Sequence, residues 1–250
     1  MIIFLSIIFG LVIGSFLNVL IDRIPKGENI VWKPSHCDYC KKPLRWFELF
    51  PVLSFVAFGG KCLRCKKRLS WQYPIVEMLT ALGFVYIVVY LGVSIVPMVS
   101  SLVIYCVWIV LFGIDLKHQI LPDELLIVLF FLILLLGIPV AEAQRWIHVI
   151  SGVFSGGFFL LIWLITKRRG LGFGDVKLAG ILGLLLGHPD TIIALYIAFL
   201  TGAIVGVILM ISHKAGMKTR IAFGPFLIVG AICASLWGER IWSMWNYLLL

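Results

Sequence analysis

Two aspartates in otherwise apolar surroundings are the residues of this chain best suited to chemistry. Asp115 lies in Ile114-Asp115-Leu116-Lys117-His118-Gln119-Ile120-Leu121-Pro122-Asp123, and Asp175 in Gly170-Leu171-Gly172-Phe173-Gly174-Asp175-Val176-Lys177. Both segments sit at the ends of long hydrophobic runs, where an ionisable side chain is costly and defaults to a functional role. Two carboxylates held close together cannot both ionise cheaply, so they share a proton; one acts as base on a water while the other donates to a carbonyl oxygen. That is amide hydrolysis without a metal or a covalent intermediate. Glycines at 170, 172 and 174 let an extended backbone come close, and Gly172, Gly174 and Lys177 are the candidates for that approach. Plainer roles compete. Asp175 can cap the helix it opens, Asp123 follows Pro122 at a helix start and reads as a cap, and Lys177 either pairs with Asp175 or extends to lipid headgroups. Asp115 stands at a helix C-terminus, against the helix dipole, which favours a functional role.

A second constellation is Cys37-Asp38-Tyr39-Cys40 and Cys62-Leu63-Arg64-Cys65, two C-x2-C pairs with 21 residues between them. Each pair offers two thiolates on a tight turn, and two such turns complete a tetrahedral four-sulfur site suited to structural zinc. The competing reading is two disulfides, which are rare in a reducing cytoplasm. Cys37, Cys40, Cys62 and Cys65 leave no open coordination position, so the site is structural; His36 is a spare ligand. Cys106 and Cys233 fall inside apolar runs and read as packing residues.

The elements that must position these groups follow from hydrophobicity. Of 250 residues, 62% are hydrophobic and 13% charged, with a mean hydropathy of +1.09, well beyond a soluble domain. Apolar runs near 2–21, 74–92, 97–114, 122–140, 146–166, 174–187, 190–211 and 222–244 predict an all-α polytopic membrane protein of about eight transmembrane helices, the sixth of them short. The first run has no basic residue before it and no small-x-small cleavage site, so it is expected to be a retained helix. Nineteen of the 21 Lys and Arg fall in alternate loops: 22–73, Lys117, 167–177 and 212–220. Only Arg145 and Arg240 lie on the other side. Positive residues mark cytoplasmic loops, so the N-terminus is expected outside and the net charge of +9 needs no nucleic-acid partner. The expected organisation is a first helix over 1–21, a cytoplasmic zinc-stapled domain over 22–73, too small for a good core of its own, and a seven-helix membrane domain over 74–250.

In order along the chain, further segments accompany these: Gly14-Ser15-Phe16-Leu17-Asn18-Val19 with Arg23-Ile24-Pro25, Gly59-Gly60-Lys61 before the second cysteine pair, Tyr73-Pro74-Ile75-Val76-Glu77, and Phe223-Gly224-Pro225-Phe226-Leu227. The ordered set resembles the bacterial type IV prepilin leader peptidases, bifunctional peptidase–methyltransferases whose protease part is of the GxGD intramembrane aspartic type. Ala222 stands where that family usually carries Pro. The resemblance implies that Asp115 and Asp175 are the catalytic pair and that the substrates are prepilins or pseudopilins, cut after a leader-terminal glycine at the cytoplasmic face of a bacterial inner membrane. It further implies N-methylation of the new terminal residue with S-adenosylmethionine, and makes Asn18, Gly60 and Glu77 candidates for that activity. Each has a simpler role: Asn18 bonding a neighbouring helix, Gly60 serving a turn, Glu77 complementing a helix N-terminus. No Gly-rich loop of the soluble methyltransferase kind is present. Two other functions fit the residues alone: a transporter or channel using Asp115, Asp123 and Asp175 as ion ligands, and a zinc-stapled scaffold without chemistry.

Overall fold

The computed structural model describes residues 1–32, 34–37, 39–91, 95–135, 142–167, 170–212 and 221–249. Among these are nine α-helices: α1 Ile2–Arg23, α2 Leu53–Ala57, α3 Gln72–Leu91, α4 Ile95–His118, α5 Asp123–Leu135, α6 Glu142–Ile165, α7 Phe173–Leu186, α8 Asp190–Ile211 and α9 Gly224–Leu249. Extended pairing among the described residues is limited to two isolated bridges. Each hydrophobic run coincides with a helix, and α2 is an added turn within 22–73. Six helices, α1, α3, α4, α6, α8 and α9, are long and apolar enough to cross a membrane. α5 and α7 are shorter, with 13 and 14 residues. The remainder of the fourth run, 136–140, lies outside the described residues, as do Lys33, Arg168, Arg169, Lys214, Lys218 and Arg220 from the charge pattern. α4 outlasts its apolar run: it continues through Asp115 to His118 and stops at Gln119, whose φ of 55° is left-handed. Asp115 is therefore a residue of the last helical turn and not of the loop.

The chain forms two compact units, Met1–Val110 and Leu111–Leu250. In the first, α1 and α3 pack closely because small residues line the seam. A Cβ on Gly10 would stand 2.5 Å from the Ala81 Cα, and one on Gly14 would stand 2.7 Å from the Glu77 Cα. Such contacts drive helix association where lipid removes the hydrophobic difference between helices. Arg23, at the end of α1 and only 6% exposed, donates to the carbonyls of Asn29, Ile30 and Pro34 and so fixes the chain leaving the helix.

The 22–73 segment contains an internal repeat offset by 25 positions. Ser35 to Leu44 and Gly60 to Leu69 share both cysteines, both lysines and the final leucine. Their backbones match too. Cys37 N–H donates to the Lys42 carbonyl and Lys41 N–H to that of Cys37; Cys62 and Lys66 repeat this with Lys67 and Cys62. Leu44 bonds to Ser35 as Leu69 bonds to Gly60, and Lys41 and Lys66 both turn left-handed, at φ 56° and 57°. The bridges His36–Pro43 and Lys61–Arg68 close the two knuckles.

In the second unit α7 is the central helix. Its buried residues include Asp175, Val176, Leu178, Ala179, Ile181, Leu182 and Gly183. α6 meets it along Gly152, Ser155 and Gly156, with Ser155 Oγ donating to the Ala179 carbonyl at 2.9 Å. α8 and α9 meet through Ile193, Ala194 and Ala234. Phe159 of α6, Phe199 of α8 and Phe223 stack with centroids 5.2 to 5.8 Å apart. Phe223 caps α9, accepting from the amides of Phe226 and Leu227. That aromatic cluster fixes where α9 begins, with Pro225 tolerated in the first turn.

Candidate functional site

Asp115 and Asp175 come together at the N-terminus of α9. Asp115 is 4% exposed and Asp175 7%. The backbone N–H of Gly224 interacts with both carboxylates, and the Asp115 charge acts on Asp175. A Cβ on Gly224 would lie 2.5 Å from Asp115 Oδ2. Asp175 is the third residue of α7, and its Oδ2 reaches back to accept the Gly172 amide at 3.1 Å. Its capping role is thus real and occupies one oxygen. The other, Oδ1, is buried without a hydrogen-bond partner, as is Asp115 Oδ2. Buried orphan oxygens are uncommon, because each forfeits its hydration. Here one stands on each carboxylate, which is the arrangement a pair requires to hold a water or a reacting carbonyl. The α9 N-terminus also answers the dipole problem of Asp115: the exposed amides of one helix face an acid stranded in the last turn of another.

The glycines of the segment have separate tasks. A Cβ on Gly172 would sit 3.1 Å from Asp175 Oδ2. One on Gly174 would stand 2.9 Å from the Leu121 Cβ, whose Cδ1 also lies against Gly224. Leu121 therefore packs beside the two carboxylates, on the connection between α4 and α5. Lys177 pairs with neither Asp175 nor a headgroup-directed void: its Nζ binds both oxygens of Asp123, at 2.7 and 2.8 Å, and lies over the Phe173 ring. Two corrections follow. Residues two apart on a helix do not face each other, so Asp175 and Lys177 diverge. Asp123, the first residue of α5, turns both oxygens to Lys177.

In the first unit, Asn18 and Glu77 line one cleft, with about 1150 Å³ of space not filled by atoms and part of it open to solvent. Asn18 donates to the Tyr73 carbonyl at 3.1 Å and accepts from Gln72 Nε2, which ties α1 to the start of α3. Glu77, 6% exposed, accepts the Val52 N–H at 2.7 Å and the Ser15 hydroxyl. Val52 has φ 57° and ψ −47°, a conformation that strains a β-branched residue by roughly 1–3 kcal/mol. Gly60 turns at φ 65°, and a Cβ there would meet the Phe55 ring at 2.9 Å; Phe55 is part of the cleft wall. Ser35, the repeat partner of Gly60, is not among the positive-φ residues, so the glycine answers to Phe55 and not to the knuckle.

The four cysteine sulfurs gather within 4.8 Å of one another, with Cys37 and Cys65 Sγ atoms 3.9 Å apart. A tetrahedron of Zn–S bonds near 2.3 Å has edges of about 3.8 Å, whereas a disulfide needs about 2.05 Å. All four are free thiols, so the donor set fits a tetrahedral metal. The amides of Cys65 and Arg64 pull the Cys62 thiol down to about 7, while burial pushes Cys37 up to about 11. Cys106 and Cys233 stand apart from this group. Cys37 and Cys62 also contribute to the cleft holding Glu77.

Sequence reasoning missed the Gly224 amide and Val52. The Gly-Pro pair at 224–225 is a legible helix start, yet what its amides face depends on packing. A strained valine leaves no trace in the sequence.

Residues 8–91 match the model of the bacterial peptidase A24 N-terminal domain, and residues 102–207 that of the type IV leader peptidase family. Curated relatives include the prepilin leader peptidase/N-methyltransferase of Pseudomonas aeruginosa, 32% identical over 94% of this chain and 90% of the relative. Proteins of the same name from Bacillus subtilis and Aeromonas hydrophila are 30% and 31% identical, covering 95% and 98% of this chain and 95% and 94% of theirs. No solved structure matches.

Proposed function

Because this chain belongs to the type IV leader peptidase family, we propose that Asp115 and Asp175 carry its hydrolytic step, cutting prepilins or pseudopilins after the glycine that ends the leader. The enzyme cleaves leader peptides and N-methylates the exposed terminus. The observation that carries the assignment is the pair of buried carboxylates, each with one unpartnered oxygen, at a shared backbone amide. One carboxylate takes a proton from water as the water oxygen attacks the scissile carbonyl carbon. The other gives its proton to the carbonyl oxygen. Collapse of the diol expels the amine, which recovers a proton from the pair. Gly172 and Gly174, by lacking side chains, let Asp175 Oδ2 and Leu121 close in beside the pair, and the Lys177–Asp123 pair holds α5 and α7 in register there.

The eight apolar helices, α1 and α3 to α9, are proposed to lie in a bacterial inner membrane, with the N-terminus outside and 22–73 in the cytoplasm, where the lysines and arginines concentrate. Zinc on Cys37, Cys40, Cys62 and Cys65 would tie the two knuckles together and supply the core that so short a segment lacks. S-adenosylmethionine supplies the methyl group, and Asn18, Gly60 and Glu77 are assigned to that activity. The 74–250 region is the peptidase domain. Mass spectrometry of a prepilin incubated with the purified protein tests both activities. A product lacking its leader and bearing one methyl on its terminal nitrogen is expected; an intact leader would refute the proposal.

A further inference from the structure

Residues 46–56 leave an apolar face bare. Trp46, Phe50, Leu53 and Val56 recur at near-helical spacing and are each 50% to 74% exposed. The Trp46 and Phe50 rings pack edge to face at 5.8 Å, so they form one surface. Phe55 and Phe58 turn the other way, into the wall of the first unit's cleft. Val52 sets the depth of the bare face. Its N–H bonds Glu77, which also takes the Ser15 hydroxyl. Glu77 is the sixth residue of α3, about 8 Å along the helix from Gln72. Ser15 lies about 12 Å short of the α1 end at Arg23. Those two helix ends are level, because Gln72 and Tyr73 both bond Asp22. The loop carrying Val52 therefore lies beside both helices, within the stretches apolar enough to cross a membrane. Trp71, exposed just before α3, stands where aromatic residues mark a membrane–water boundary.

Irregular backbone at such a depth must satisfy its own polar groups. Pro51 has no N–H, and Val52 gives its N–H to Glu77. Leu53, Ser54 and Val56 give theirs to the carbonyls of Pro51, Phe50 and Val52. The surrounding segment is basic: 22–73 holds eleven Lys and Arg against Asp22, Glu28, Asp38 and Glu48, and Arg45 and Lys61 flank the bare face in sequence. An apolar face with basic flanks is the composition of a segment lying in the plane of an anionic leaflet, sunk about 5–10 Å into it. We infer that residues 46–56 are an in-plane anchor in the cytoplasmic leaflet, with phospholipid acyl chains against Trp46, Phe50, Leu53 and Val56. The inference rests on the membrane reading above and moves this part of 22–73 out of the aqueous phase. The Glu77–Val52 bond pins the anchor to α3, so lipid and the two helices hold the segment together.

The test places the full-length protein in nanodiscs of phosphatidylethanolamine and phosphatidylglycerol, doped with a phospholipid whose acyl chain carries a diazirine. After irradiation the adducts are mapped by mass spectrometry. Label on peptides from 46–56, alongside label on α1 and α3, is the expected result. Label on α1 and α3 with none on 46–56 would overturn the anchor and spare the membrane reading. Label on none of the three would overturn the membrane reading and the anchor with it. The double variant Leu53→Asp, Val56→Asp alters only exposed side chains and should cut label on 46–56 about tenfold, with α1 and α3 labelled as before. Undiminished label on 46–56 in this variant would show that these side chains do not hold the segment in lipid. An excess of prepilin should leave the wild-type label on 46–56 unchanged. Selective loss of that label would make the substrate, and not lipid, the occupant of the face and overturn the inference.

Discussion

The backbone amide of Gly224 faces the carboxylate of Asp115, so the first turn of α9 stabilises an acid that the last turn of α4 disfavours. The same amide reaches Asp175. Neither acid alone needs such an arrangement, and its benefit goes to the pair.

If Asp115 and Asp175 carry the hydrolysis as proposed, replacing either removes proton transfer and leaves the packing. Asp115→Asn and Asp175→Asn are near-isosteric and are expected to lower leader cleavage by about 10² to 10⁴-fold in a protein that still purifies folded. Cleavage of a prepilin peptide followed by chromatography measures this, and normal trimming by either variant rejects the assignment.

Gly224→Ala puts a methyl 2.5 Å from Asp115 Oδ2. The carboxylate or the helix start must shift. A displacement of order 1 Å at reacting groups costs roughly 100-fold in rate, so kcat should fall on that scale. Wild-type kcat in Gly224→Ala would show that the amide does not position the pair.

The Lys177–Asp123 bridge is bidentate but partly exposed, at 37% and 62% of the side chains. Such pairs contribute about 0.2–1 kcal/mol and weaken with salt. A double-mutant cycle with Lys177→Met and Asp123→Asn should give a coupling of that size by thermal unfolding. A coupling of several kcal/mol would mean that the bridge is desolvated in the membrane.

The knuckles are expected to hold one zinc per chain, released by Cys37→Ser or by a strong chelator. Metal analysis reads the stoichiometry, and limited proteolysis between residues 35 and 69 reads the loss of structure. If protease resistance survives with no metal present, the staple is not a metal.

Gly183 of α7 has no room for a side chain, since its Cβ would fall on the Ser151 carbonyl and Ser155 Oγ of α6. Gly183→Ala should destabilise by about 1–3 kcal/mol, seen as a lower unfolding temperature in nanodiscs.

Much of this was legible because it depends on local properties. Long apolar runs make helices wherever they fall, and paired cysteines at short spacing imply knuckles irrespective of context. An acid inside such a run is conspicuous by its cost, which singled out Asp115 and Asp175. What escaped depends on long-range contacts. Lys177 lies two residues from Asp175, yet its partner is Asp123 on another helix. The end of α4 shifted by four residues because polar Asp115, Lys117 and His118 remain helical past the apolar run. The 25-residue repeat was present in the sequence but thin, with five of ten positions identical; matching backbone hydrogen bonds made it plain.

The brevity of α7 reaches beyond the protein itself. Bounded by Gly172 and Gly187, its 14 residues extend only about 21 Å, against about 30 Å of hydrocarbon. If α7 spans the bilayer as proposed, thinning of the lipid around so short a helix would bring bulk solvent closer to Asp175.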